Sequence, residues 1–154
     1  IVVTVNLQID VTAVQGALNT VKRKIPRASS KGIAVASTFI QNAIKDRTRQ
    51  GRNVKGGAFK PYSKSYRKVR AKRGSSLTPN LFFSGQMLGN MTFRKLSSTK
   101  GQVFFPNRTQ NIKAFFNDVD RPFFSVNRIE EDKAVEIFRK TFERELRIWV
   151  NEKI

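Results

Sequence analysis

The sequence predicts an α+β domain: a small antiparallel β-sheet packed by two N-terminal helices and one long C-terminal helix, with a long basic loop between them. Three observations carry that reading. Short stretches alternate apolar and polar residues with period two, three longer ones repeat apolar residues every three or four positions, and a glycine-rich basic run separates the helical from the strand-rich part. At 154 residues and 39% hydrophobic content, the chain is expected to form a single domain over 1–154.

In chain order, IVVTVNL (1–7) alternates Val3, Val5 and Leu7 against Val2, Thr4 and Asn6, which predicts a half-buried strand. Asp10 is placed to cap a first helix whose stripe is Val11, Val14, Leu18, Val21 and Ile25, with Pro26 as its stop. A second helix is expected from Ser29 or Ser30 to about Arg47 on the seam Ile33, Ala36, Ile40 and Ile44, with alanines allowing close helix–helix approach.

RTRQGRNVKGG (47–57) reads as a flexible basic loop. Residues 58–76 form a basic stretch in which Pro61 and Ser63 open a short helix anchored by Tyr62, Tyr66 and Val69. Beyond Pro79, residues 92–98 and 101–105 predict a hairpin with Gly101 at or beside its turn, and 111–119 a further strand with Ile112, Ala114 and Phe116 on one face. A last helix begins near Ser125 or Asn127 and buries Val135, Phe138, Phe142, Leu146 and Trp149. Glu130, Glu131 and Asp132 suit its positive end; Arg144, Arg147 and Lys153 suit its negative end.

Composition narrows the chemistry. With no histidine and no cysteine, the chain lacks the usual general base, thiol nucleophile and soft metal ligands, and its carboxylates do not cluster for an all-oxygen site. Ser84, in LFFSGQMLGNM, has no histidine to activate it and does not follow the G-x-S-x-G elbow. It is expected to be an N-cap for Gln86 or Met87, so that Ser84→Ala costs about 0.5–2 kcal/mol and no chemistry. No enzyme activity and no cofactor are expected. No run reaches the length of a membrane span and no signal-peptide pattern opens the chain, which reads as soluble and intracellularly made.

The charge of +19 is strongly segregated. From Arg47 to Asn117 there are 16 Lys/Arg and no Asp or Glu, while nine of the eleven acids follow from Asp118 onward. A surface charged only for solubility does not sort its signs in this way, so the middle of the chain is expected to meet something negative. The partner-facing or DNA-facing candidates are Arg47, Arg49, Arg52, Lys55 and Lys60 in the loop and its exit. Along the basic stretch they are Lys64, Arg67, Lys68, Arg70, Lys72 and Arg73. Phe123 and Phe124 are expected to lie in the core, as is Trp149.

The order of the remaining landmarks resembles a known family. Gly57-x-Phe59-x-x-Tyr62-Ser63-x-x-Tyr66 precedes the basic stretch; Leu81-x-x-Ser84-Gly85-x-x-Leu88 and a hairpin follow; Arg121-Pro122-Phe123-Phe124 stands before the last helix. This is similar to the tail-completion, or virion-morphogenesis, proteins of tailed bacteriophages, relatives of the Mu-like morphogenesis protein, over roughly residues 40 to 150. Ser84, Gly85, Arg121, Pro122, Phe123 and Phe124 are its structural motif residues. The family's histidine ahead of the Arg-Pro-Phe turn has no counterpart here, which leaves the subgroup open among tail completion, tail terminator and other neck rings.

The resemblance implies a non-enzymatic virion protein at the head–tail joint, made in the host cytoplasm. Its expected partners are copies of itself in a ring, commonly six-fold, the neighbouring connector and tail proteins, and duplex DNA passing through without sequence preference. No membrane partner is expected. The alternative from another class is a free-standing, sequence-nonspecific nucleic-acid-binding protein. Against it, the aromatics are nearly all phenylalanine in apolar settings, and no RNP-like or GXXG signature is present.

Overall fold

In the computed structural model, which describes residues 4–8 and 25–151, the elements run β1 (Thr4–Gln8), α1 (Ile25–Arg49), α2 (Lys64–Lys72), α3 (Gln86–Asn90), β2 (Thr92–Lys95), β3 (Lys100–Phe104), α4 (Arg108–Asp120) and α5 (Arg128–Asn151). The strands form one antiparallel sheet in the order β1-β3-β2, so the α+β class stands, with its long C-terminal helix. The expected helix capped by Asp10 falls on residues outside the described ones, as do the side chains of Leu7 and Trp149. Ile25 and Pro26, expected at that helix's end, belong to α1. Pro26 lies in its first turn, where the missing N–H costs nothing because first-turn amides have no partner inside the helix.

The expected strand over 111–119 is instead α4, and the apparent alternation of Ile112, Ala114 and Phe116 is accidental. Asn107 caps the helix, its side chain accepting from Gln110 N at 3.1 Å, and the buried side carries Asn111 and Ala114, three residues apart. Ile112 and Phe116 point outward, 42% and 67% exposed. The hairpin is present, closed where the amides of Leu96 and Ser97 both donate to the Lys100 carbonyl. Gly101 lies on β3 past that turn, and its role is close approach: a Cβ there would sit 2.3 Å from Ser37 Oγ and 3.2 Å from Ile33 Cγ2.

The described residues fall into two compact units. One is built on α1 up to Ile40, Phe93–Val103 and α5. Ile25, Ala28, Ile33, Ala36 and Ile40 are buried in it with Val103, Ala134, Phe138 and Phe142. Gly32 carries the close approach expected of α1: a Cβ there would stand 2.6 Å from the Phe138 ring. Ala134 is buried where the stripe of α5 was expected to use Val135, which is 43% exposed, and Leu146 is half-buried. The last turn of α5 holds no basic residue, Arg144 and Arg147 lying before it. Across the sheet, Arg94 Nε donates to Gln102 Oε1 at 2.8 Å and Gln102 Nε2 to Asn6 Oδ1 at 3.1 Å, tying three strands by side chains. Glu136 lies between Lys133 and Lys140, whose hydrogen bonds hold its carboxyl down at about 2.

The other unit is built on Gln41–Thr92 and Phe104–Asn127. Its buried residues include Ile44, Phe59, Met87, Leu88, Met91, Phe105, Ala114, Phe123 and Phe124, so the core placement of the two motif phenylalanines is as expected, and α3 adds Met87 and Leu88 to the same core. Phe124 packs between Phe105 and Phe123, with ring centroids 4.9 and 5.9 Å away, and α3 packs on α4.

Candidate docking site: helix α2 and an arginine–aromatic cleft

The segment 47–57 is more ordered than a flexible loop. Arg47 and Arg49 still belong to α1, and Gly51 takes φ +76 to end it. Asn53 then organises a tight turn: its Oδ1 accepts from Lys55 N and Gly57 N, and its own amide donates to Gly57 O at 2.7 Å. Val54 N donates to Pro122 O and Phe59 N to Gly51 O, so the turn is pinned on two sides.

Within it the candidate cations separate. Arg49, Arg52, Lys55 and Lys60 are exposed, whereas Arg47 is 8% exposed and its Nη2 donates to the carbonyls of Phe123 and Ser125 at 2.8 and 2.7 Å. The expectation that Arg47 faces a partner is therefore corrected: it clamps the Arg-Pro-Phe-Phe turn from inside. Lys45, partly buried one turn before Arg49, is held below the usual lysine range, first by burial and then by the Arg49 charge, with Asp46 opposing.

α2 starts as expected at Ser63, whose Oγ accepts from Tyr66 N. Lys64, Arg67, Lys68 and Lys72 are all exposed, and among the described residues none has an ion-pair partner. Spaced by three and four residues, they form a cationic row down one side of the helix, with levels about 4.5–6 Å apart. Arg70 points the other way. It is the buried anchor of α2, 1% exposed, while Tyr66 and Val69, expected as anchors, are 36% and 45% exposed. As with Arg47, the sequence reading of Arg70 as partner-facing is corrected.

Arg70 organises what lies beneath α2. Its Nε donates to Ser76 O at 2.6 Å and its Nη2 to Phe82 O at 3.0 Å. The guanidinium also lies 4.9 Å from the Tyr62 ring centroid, 5.6 Å from Phe83 and 5.9 Å from Tyr66. The second ends of this arrangement come from the other motif segments. Arg121 stacks on Tyr62 at 5.1 Å while its Nε and Nη2 donate to the carbonyls of Lys60 and Pro61, and Arg73 stacks on Phe83 at 4.9 Å. Tyr62 Oη accepts from the amides of Asn80 and Leu81, which holds Leu81 at φ +52, the left-handed region that a branched side chain rarely visits.

The rings and guanidiniums wall a cleft of about 500 Å³, continued by Met87 of α3 and by Gln110, Lys113, Asn117 and Asp120 along one side of α4.

Ser84 and Gly85 stand at its edge. The N-cap of α3 is Gly85, at φ +76, and Ser84 Oγ lies 3.5 Å from Gln86 N, the outer limit of a hydrogen bond. The N-cap role expected of Ser84 thus passes to Gly85, whose freedom to turn left-handed is what the site needs. Gly85→Ala is expected to cost about 1–2 kcal/mol from the backbone conformation. It also brings a Cβ to 2.9 Å from the Phe82 ring. Ser84→Ala is expected to cost less than about 0.5 kcal/mol; urea unfolding of both variants checks the order.

Arg121, Pro122, Phe123 and Phe124 form a turn held by several bonds: Asp118 Oδ1 accepts from the amides of Phe123 and Phe124, both at 2.8 Å, and Pro122 O accepts from Val54 N. The motif residues Tyr62, Leu81, Ser84, Gly85 and Arg121 thus meet around one cleft. Compared with protein-family models, curated proteins and solved structures, the chain matches none. Chemically the site offers fixed cations, aromatic walls and hydrogen-bonding groups. Among the described residues, no three carboxylates gather to hold a metal.

Proposed function

We propose that this chain is a structural subunit of the neck of a tailed phage: a ring-forming tail-completion protein at the head–tail joint that surrounds the DNA channel and docks on neighbouring rings. The observation that carries the reading is the exposed row of Lys64, Arg67, Lys68 and Lys72, unpaired among the described residues, in a stretch of 71 residues without an acid. Unpaired cations on a rigid helix favour a polyanion or an acidic protein face, and phosphate contact of this kind carries no sequence information. That suits a conduit for DNA of any sequence. The ordered motif segments support the same reading, because they knit into a frame that holds α2 in place and need no catalytic group.

The test combines assembly with size. In the quadruple variant Lys64→Glu, Arg67→Glu, Lys68→Glu, Lys72→Glu, the circular dichroism spectrum is expected to stay native while infectious-particle yield is lost. For the unaltered protein, light scattering is expected to show a ring, or a monomer competent to form one, with weak duplex binding. Loss of each phosphate contact in the variant flattens the slope of log affinity against log salt by about 0.9. Normal particle yield from the variant overturns the proposal. So does a monomer with tight, steeply salt-dependent RNA binding, which belongs to a free-standing nucleic-acid-binding protein.

A further inference from the structure

We infer that the cleft beneath α2 is a receptor for an extended, acidic peptide segment of a partner protein. This goes beyond the cationic row on α2 and does not depend on the neck reading. The cleft has its own charge balance. Lys113 is exposed on its wall and has no ion-pair partner among the described residues, and the Arg121 guanidinium donates to the carbonyls of Lys60 and Pro61 rather than to an acid. The one carboxylate on the wall, Asp120, is drawn toward Lys60 at 3.5 Å. A ligand carboxylate reaching Lys113 therefore meets positive potential with little competition.

Two further features choose a peptide over a nucleobase. Aromatic rings bind bases by offering a free face, and here the rings are engaged already: Tyr62 by Arg70 and Arg121, Phe83 by Arg70 and Arg73, and Tyr66 by Arg70 at 5.9 Å and by the Tyr62 and Phe83 rings. What they leave to an occupant is apolar edge, with Leu81 and Met87 beside it. Gln110, on the α4 side, has a buried side-chain oxygen with no hydrogen-bond partner. Rotation of that amide toward the cleft presents a donor and an acceptor, which an extended backbone, carrying both, can satisfy at once. An acidic residue for Lys113, backbone for Gln110 and an apolar neighbour against Leu81 and Met87 together describe an alternating acidic–apolar strand.

The experiment is a nitrogen-15 NMR titration of the full chain with a capped pentapeptide alternating glutamate and leucine, beside its glutamine counterpart and a short single-stranded oligonucleotide. Saturable binding of the acidic peptide is expected, with shifts centred on Tyr62, Gln110, Lys113 and Arg121. Lys113→Glu, a change at an exposed position, is expected to weaken it about tenfold, while Lys68→Glu on α2 changes it less than about twofold. The inference is overturned by no saturable binding of the acidic peptide, by equal binding of the glutamine peptide, or by equal sensitivity to Lys68→Glu. It also fails if the oligonucleotide moves the cleft resonances more than the peptide does.

Discussion

Replacing Arg47 with methionine is expected to lower the unfolding free energy by about 2–4 kcal/mol, whereas Arg49→Gln and Arg52→Gln each change it by less than about 1 kcal/mol. The three arginines stand within six residues and look alike in the sequence. The difference lies in what each guanidinium touches. Arg47 donates to two carbonyls of the 121–125 turn, at 2.8 and 2.7 Å, and is almost wholly buried. Methionine keeps the stem's packing but leaves the carbonyls of Phe123 and Ser125 without that donor, and a buried acceptor left bare costs far more than a surface contact gains. Arg49 and Arg52 are exposed, and the Arg49 guanidinium lies over the Phe82 ring at 5.6 Å from its centroid, a surface contact. Urea titrations followed by far-ultraviolet circular dichroism separate the outcomes. Equal, small effects of all three substitutions would mean that the clamp on the turn contributes nothing. The contrast also matters for function, since a triple neutralisation of this segment mixes a folding defect into any assembly assay, while Arg49→Gln with Arg52→Gln does not.

The long helical seams were legible because burial there follows a period that repeats for many turns. Ile33, Ala36, Ile40 and Ile44 are all 0% exposed, and Phe138 and Phe142 are buried as expected. α4 was misread because two outward apolar side chains, Ile112 and Phe116, flank the buried Ala114 and make with it a period-two alternation that masks the helical seam. The signal that identifies it was present: Asn107 with Gln110 three residues later is a helix-start pattern, with Asn107 in the N-cap position.

At the site, the charge segregation and the motif landmarks were legible, since both survive in one dimension. Which arginines are buried was not. A guanidinium is normally placed outside, and here Arg47 and Arg70 are buried on carbonyls and, for Arg70, on rings supplied from distant or irregular segments, contacts that leave no pattern along the chain. The cleft itself could not be read either, because its walls come from α2, the turn before α3, and a helix that the sequence reading took for a strand.

Arg70→Met is expected to cost about 2–4 kcal/mol, and Arg70→Lys to recover less than half of that. The acid-free stretch explains why the substitution is severe. A buried cation is usually balanced by a carboxylate, but Arg70 is balanced by the carbonyls of Ser76 and Phe82 and by the faces of Tyr62 and Phe83. Its planar fork reaches both carbonyls while lying against the rings. An ammonium is a point donor with a larger hydration cost, and cannot hold two carbonyls and two rings from one position. Removing the fork frees the 76–82 segment from α2, so hydrogen exchange is expected to quicken first at Arg73 and Ser75, whose amides close the end of α2 on the Arg70 carbonyl, and at Leu81. The exposed row Lys64, Arg67, Lys68 and Lys72 then loses its rigid support without losing a charge. If Arg70→Met leaves stability and exchange unchanged, the cage is decoration and α2 is held by something else. If it loosens α2 and also weakens docking while the charges remain, the rigidity of the helix, and not its charge alone, is what a polyanionic or acidic partner reads.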